Sequence, residues 1–212
     1  MKKIFAALVI IFSCYHSVFA QGTKTISDCT VYFNVSIEDA NADPQVIKSM
    51  AGATKVLYIK GSKSRSDLIT PGFKQTTLTD AKSDTTVILR ELGNTNYISY
   101  LNNSKRKAQN KKYEGIQFAN TNEKKTILGY ECKKVIAKLT DGSTFNVYYT
   151  SSISPSNKDF EYQFKDLPGF VLEYESESVE GKTKVKYSAT KISVEPVPIA
   201  MFDLPKSGYR VL

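Results

Sequence analysis

Residues 170–191 admit one antiparallel pairing that accounts for nearly every position at once. With Val179 opposite Lys182 across a Glu180-Gly181 turn, Glu177 meets Lys184 and Glu175 meets Lys186 on one face. On the other face Tyr174 meets Tyr187 and Leu172 meets Ala189. A slip of one residue would turn every side chain over and destroy both sets of pairs. A chain carrying such a segment is committed to an antiparallel sheet, and the same pattern recurs upstream. A Gly93-Asn94 turn with Leu92 opposite Thr95 sets Leu89 against Ile98 and Val87 against Tyr100. Asp141-Gly142 stands between two runs rich in β-branched and aromatic residues, 131–139 and 143–150, and predicts a two-residue type I′ turn. Flanked by Thr140 and Ser143, that turn would place Ile136 opposite Val147, Val135 opposite Tyr148 and Lys134 opposite Tyr149. Both faces of this hairpin are partly apolar, which suits a curved sheet packed on each side.

Residues 25–37 alternate almost perfectly. Cys29, Val31, Phe33, Val35 and Ile37 share one face, with Asp28, Thr30, Tyr32, Asn34 and Ser36 on the other. This reads as one long strand with Cys29 pointing inward. Asp43-Pro44 then supplies an N-cap and a proline at the first helical position. The short helix it opens carries Val46, Ile47 and Met50 on one side, ends at Gly52, and is expected on the concave side of the sheet. Strands are expected at 55–60, 63–70, 74–79 and 85–91, and another at 113–121. Between them, residues 102–112 are strongly polar and form a solvated loop or short helix. Its cations, Lys105, Arg106, Lys107, Lys111 and Lys112, offer either a basic surface for lipid headgroups or a partner, or only a hydrated face. Residues 151–159 read as loop. Phe160, Tyr162 and Phe164 suggest a short edge strand, broken by Asp166-Leu167-Pro168-Gly169. The two prolines of 195–198 enforce an extended tail that buries Met201, Phe202 and Leu204.

A cationic start (Lys2, Lys3), an apolar run over 4–13 and small residues before Gln21 have the grammar of a secretory signal peptide cleaved after Ala20. The alternative is a lipoprotein signal with Cys14 as the lipidated residue, disfavoured by the bulky Phe12. Cleavage after Ala20 would also remove His16, the sole histidine, and with it any Ser-His-Asp triad, Cys-His dyad or imidazole metal site. Export to an oxidising compartment leaves two readings for Cys29 and Cys132: a disulfide, or two buried thiols packed as small apolar groups. The formal net charge is +8; Lys2 and Lys3 carry two of these charges, so residues 21–212 hold +6. Such a charge suits peripheral contact with anionic membrane surfaces. Arginine, the usual reader of bases and phosphates, is scarce (Arg65, Arg90, Arg106, Arg210), which argues against nucleic acid.

Glu173, Glu175 and Glu177 line one strand face like a carboxylate pair for glycoside chemistry, but the register gives two of them lysine partners and makes them a solvated ion-pair ladder. No phosphate loop, nucleophile elbow, Cys-x-x-Cys or calcium-loop spacing occurs. An enzyme, a cofactor and a metal are therefore not expected. Tyrosine is abundant and tryptophan absent. Tyrosine rings suit a core, and also a cavity with one polar end.

The stretches Ile127-Leu128-Gly129-Tyr130-Glu131-Cys132-Lys133-Lys134, Val147-Tyr148-Tyr149-Thr150 and Leu167-Pro168-Gly169-Phe170-Val171-Leu172 resemble the GLPGLI and related families of secreted bacterial envelope proteins. The ending Phe202-Asp203-Leu204-Pro205 with Gly208-Tyr209 is similar to that of domains like LolA, the periplasmic lipoprotein carrier. The resemblance implies an unclosed β-barrel whose concave face is covered by helices and, in carriers, receives acyl chains. The carrier's ligand-holding arginine would fall, by location, on Arg65 or Arg90.

The expected fold is mainly β: a single antiparallel, strongly curved sheet with one or two short helices over its concave face, in one domain over residues 21–212. The expected function is non-catalytic: a periplasmic or outer-membrane-associated protein binding an acyl chain, lipid or lipoprotein among Val31, Phe33, Val35, Leu89, Ile98, Tyr174 and Tyr187. The alternative is a scaffold filled by its own side chains that docks to another envelope protein.

Overall fold

The computed structural model describes residues 22–39, 42–177 and 183–212. The expected cleavage after Ala20, the Cys14 alternative and the Glu180-Gly181 turn lie outside these residues. In chain order the strands are β1 (Lys24–Ile26), β2 (Asp28–Ile37), β3 (Thr54–Lys60), β4 (Lys63–Thr70), β5 (Phe73–Asp80), β6 (Thr85–Leu92) and β7 (Thr95–Leu101). They continue with β8 (Gln117–Ile127), β9 (Tyr130–Lys138), β10 (Thr144–Thr150), β11 (Ile153–Pro155), β12 (Phe170–Glu177), β13 (Lys184–Ser193) and β14 (Arg210–Val211). Two helices interrupt them, α1 (Pro44–Met50) and α2 (Asn103–Gln109). Twelve strands form one unclosed, curved sheet in the order β14-β7-β6-β5-β4-β3-β2-β13-β12-β10-β9-β8, and β1 pairs with β11 separately. Within the large sheet only β14, running parallel to β7, breaks the antiparallel rule. The fold class is the one the alternation predicts.

Turn chemistry decides the registers. β12 and β13 pair as expected, with Tyr174 opposite Tyr187, Glu175 opposite Lys186 and Glu177 opposite Lys184. β6 and β7 likewise place Leu89 opposite Ile98 and Val87 opposite Tyr100. The hairpin at Asp141-Gly142 differs by one residue: Val147 faces Val135, Tyr148 faces Lys134, and Ile136 faces Asn146. Its loop holds three residues, with Leu139 N–H donating to Ser143 O and Gly142 N–H to Leu139 O. Gly142 alone in the loop has positive φ (90°), while Asp141 Oδ1 accepts from Ser143 N–H at 2.8 Å. This is a type I turn closed by a left-handed glycine, not a type I′ turn, and it turns Val135, Ala137, Phe145 and Val147 to the same buried side. The two-residue turn with two positive φ angles lies instead between β8 and β9, at Leu128 (φ 50°) and Gly129 (φ 83°).

Other expectations shift for local reasons. The long first strand breaks at Ser27, after which β2 keeps its alternation: Cys29, Val31, Phe33 and Val35 are buried. The strand expected at 113–121 starts at Gln117 and runs to Ile127, with Tyr113 in a 3-10 turn before it. Phe160, Tyr162 and Phe164 do not form an edge strand. They sit in two 3-10 turns, Lys158–Phe160 and Tyr162–Phe164, the first capped by Asn157 Oδ1 accepting from Asp159 N–H at 2.9 Å.

Side chains of β3–β7 and β12–β13 converge on one side of the curve, which is the inner face. Over β2, β3, β9, β10 and β12 that face is covered by the chain around residues 153–167, whose Ile153, Phe164 and Leu167 join the main core with Val31, Phe33, Leu57, Val135 and Leu172. Helix α1 lies on the inner side, but only lightly. Met50 packs with Val35, Ala53, Leu68 and Val185, while Ile47 stays 44% exposed. The outer face over β4–β7 is covered by the tail: Phe202 and Tyr209 pack on Leu78, Leu89 and Ile98, and Arg65 Nη1 donates to Met201 O at 2.7 Å.

Of the two readings for Cys29 and Cys132, the structure shows the buried thiols and not the disulfide. Both are free and buried, on β2 and β9 with three strands between them. At about 4.8 Å per strand that is roughly 19 Å along the sheet, whereas a disulfide needs Cα atoms within about 7 Å. Burial pushes the Cys29 thiol up to about 12 and the Cys132 thiol to about 11. Among the described residues no helix is long and apolar enough to cross a membrane.

Candidate functional site

β3 sends Lys55, Leu57 and Ile59 to the inner face, because all three share one parity of the strand. Leu57 and Ile59 belong in a core; Lys55 does not, yet it is 7% exposed. Its cross-strand neighbours are Phe33 on β2 and Leu68 on β4. The ammonium sits among three rings, 5.7 Å from the centroid of Phe33, 5.1 Å from Tyr174 and 5.4 Å from Tyr187. Nζ donates to Tyr174 Oη at 2.6 Å and is ion-paired with the Glu161 carboxylate, which is delivered by the link between the two 3-10 turns. Tyr174 and Tyr187 stack 4.6 Å apart at 6°, and Phe164 meets Tyr174 edge-on at 4.9 Å. Burial pushes Lys55 down to about 7 and holds the Tyr174 phenol far above its ordinary value. Tyr187 is pushed up to about 12 by the same cause.

Lys55, Glu161, Tyr174 and Tyr187 form one end of a cavity of about 280 Å³. Its floor is polar, built from Ser66, Gln75, Thr77, Thr79 and Thr86 on β4–β6. Arg106, Gln109 and Asn110 of the α2 region and Tyr162 close the far side. Arg106 is the one basic candidate that turns inward: Lys105, Lys107, Lys111 and Lys112 are exposed. Its Nη2 lies 3.3 Å from Asp84 Oδ1 and its guanidinium 5.9 Å from the Tyr162 ring, while its Nε is buried without a hydrogen-bond partner.

A second chamber of about 300 Å³ opens under α1. It is mostly apolar, lined by Val46 and Met50 of α1, Leu68 of β4, Pro71 and Phe73 at the β4–β5 turn, and Val185 and Tyr187 of β13. Tyr187 belongs to both linings.

The seven cavity residues expected from sequence are not brought together. Tyr174 and Tyr187 line the polar chamber, with Phe33 beside Lys55. Val31 is sealed in the main core, and Val35 lies behind Tyr187 in a small cluster with Ala53 and Val185. Leu89 and Ile98 are on the other face, beneath Phe202 and Tyr209. The parity of β6 relative to β2 decides this: Ile88, not Leu89, shares a face with Val31. Of the two candidate carrier arginines, Arg65 pins the tail on the outer face. Arg90 lies on the inner face with its Nε donating to Gln75 Oε1 at 3.0 Å. Lys55 was missed, although a lysine in phase with Leu57 and Ile59 was a visible signal. Glu161 had no such signal, since its position depends on a fold of the covering segment. Among the described residues no group of three or more His, Cys, Asp or Glu side chains is placed to hold a metal ion.

No family model and no curated protein sequence matches this chain. Among solved structures it is similar to PNGF-II, with a TM-score of 0.49 and 15% identity over 87% of this chain and 30% of that one. It is also similar to an uncharacterised conserved protein from Thermus thermophilus (TM-score 0.49, 10% identity, 88% and 90% of the two chains). MucB is a further likeness (TM-score 0.42, 9% identity, 85% and 58%). The chain thus spans less than a third of PNGF-II. Likenesses at this level carry no functional argument, so the site is read from its own residues.

Proposed function

We propose that this protein is an exported, non-catalytic binder or carrier of an acyl-bearing amphiphile, held on the inner face of the sheet. One observation carries the reading: Tyr187 is a shared wall between an apolar chamber under α1 and a polar chamber around Lys55. A ligand with an oily tail and a polar head matches that division, and each methylene removed from water contributes about 0.8 kcal/mol. The tail lies against Met50, Leu68 and Phe73, a different set from the one alternation suggested. The signal-like residues 1–20 and the resemblance of residues 127–209 to LolA-like envelope proteins support the same compartment and class. The chemistry around the chambers suits holding better than reaction, since Lys55 is tied to Tyr174 and Glu161 and both thiols are pushed toward the inert protonated form. A self-filled scaffold has no use for two chambers.

Native mass spectrometry of protein purified without detergent tests the reading. The expected result is an added mass removable by organic solvent, and its loss in a Met50→Trp variant that fills the α1 chamber. Protein that carries no lipid and takes none up would move the case to the alternative, a scaffold for another envelope protein.

A further inference from the structure

We infer that the polar chamber seats a singly charged anionic headgroup, a carboxylate, which replaces the Glu161 carboxylate on Lys55. This rests on the ligand reading above and names the head of the ligand that reading leaves open. The Lys55 ammonium is held among three rings and by Tyr174, all on strands of the sheet, whereas Glu161 stands on the covering segment, at the junction of two 3-10 turns. The core anchors of that segment, Phe164 and Leu167, are separate side chains, so Glu161 can rotate outward while they stay in place.

A buried ammonium without a carboxylate is strongly destabilising, and for that reason the site needs an anion whenever Lys55 is protonated. Exchanging one carboxylate for another conserves the charge balance in the aromatic box. Arg106 points to the same chemistry from the opposite wall. Its buried Nε has no acceptor, and an anionic head in this chamber brings acceptor oxygens to the cavity that Arg106 lines. The valence is set by the acids nearby: Asp159 lines the chamber and Asp84 already pairs with Arg106, so a doubly charged phosphate meets like charge.

Laurate, lauryl alcohol and lauryl phosphate share one chain and differ only in the head, so calorimetric titration with each separates head from tail. The expected result is laurate binding about tenfold tighter than the alcohol and tighter than the phosphate. Glu161→Gln should widen the laurate-to-alcohol ratio several-fold by removing the internal competitor. The double variant Lys55→Met/Glu161→Gln, which leaves no buried charge unpaired, should bring the ratio close to one. A ratio near one in the unaltered protein overturns the inference and leaves the ligand reading standing. A tenfold ratio unmoved by Glu161→Gln overturns the exchange at Lys55, and tighter binding of the phosphate overturns the single charge. Failure of all three probes to bind overturns the ligand reading itself.

Discussion

Lys55 and Glu161 illustrate how one buried pair can be worth little as a pair and much as a constraint. Removing one partner strands the other in an apolar box, whereas replacing both by neutral groups of similar volume is often nearly neutral. Lys55→Met alone is therefore expected to lower unfolding stability by about 3 kcal/mol or more. The Lys55→Met/Glu161→Gln double variant should recover much of that loss in urea titrations. Equal losses in the two variants would show that the pair is not coupled. Gly169 is a second single-residue constraint. A Cβ built there would lie 2.1 Å from Thr150 O, so β12 enters beside β10 only because no side chain intervenes. Gly169→Ala should cost about 2–3 kcal/mol or prevent folding, read from the urea midpoint. The Leu-Pro-Gly signature is explained by this approach together with the burial of Leu167. For the cysteines, protein lacking residues 1–20 should show no thiol reactive toward a disulfide reagent at neutral pH, and two after denaturation. A native count of zero that persists in denaturant without reductant would mean a bridge.

At the scale of the element, the β8–β9 turn carries avoidable strain. Leu128 holds φ 50° and is 42% exposed, a conformation that glycine and asparagine adopt much more easily. Leu128→Asn should raise stability by about 0.5–1 kcal/mol, seen as a higher urea midpoint at unchanged slope. An exposed leucine kept in such a turn is not explained by packing within this chain. The β9–β10 hairpin shows how a turn sets what a whole strand buries. With one more loop residue than a type I′ turn, Val135 rather than Ile136 comes opposite Val147. Asp-Gly suits both turn types, because each needs a left-handed glycine; only the sheet beneath chooses between them.

At the scale of the whole molecule, ionisation opposes folding at three pH ranges. Lys55 is depressed from 10.5 to about 7, so below pH 7 it is protonated in both states and its burial penalty is present in full. Between pH 7 and 10.5 burial acts to raise stability, because the unfolded chain binds more protons, while deprotonation of Lys55 strands the Glu161 carboxylate and offsets that gain. Above pH 10 the sign reverses. Tyr187 and Tyr209 are pushed up to about 12, both mainly by burial, with the Glu91 hydrogen bond also raising Tyr209. Their folded forms hold protons the unfolded chain has lost, so stability falls. At the acid end Asp80, lowered to about 2 by its hydrogen bond from Lys63, stops contributing as pH drops from 3.8 toward that value. Melting temperatures should thus fall above pH 10 and again below pH 3.8, and the Lys55→Met/Glu161→Gln double variant should keep both falls. Melting temperatures that stay level above pH 10 would contradict the burial of Tyr187.

Alternation in residues 28–37, the opposed charges of 173–177 and 184–188 and the Gly93-Asn94 turn by themselves determined a largely antiparallel sheet and two of its registers. Those are contacts between neighbours whose partners are chosen by period and turn. Which face each strand shows to the inside was legible only relative to its own hairpin. Carrying parity from β2 to β6 and β7 requires every register between them, and for that reason alternation alone does not show that Leu89 and Ile98 lie on the face opposite Val31. The covering segment was opaque for a different reason. Phe160, Tyr162 and Phe164 have the spacing of a strand, but they lie in 3-10 turns that bring Glu161 to the buried Lys55. Tertiary structure alone made that choice, because a charge sealed among aromatic rings is tolerable only where another part of the chain brings its counter-charge.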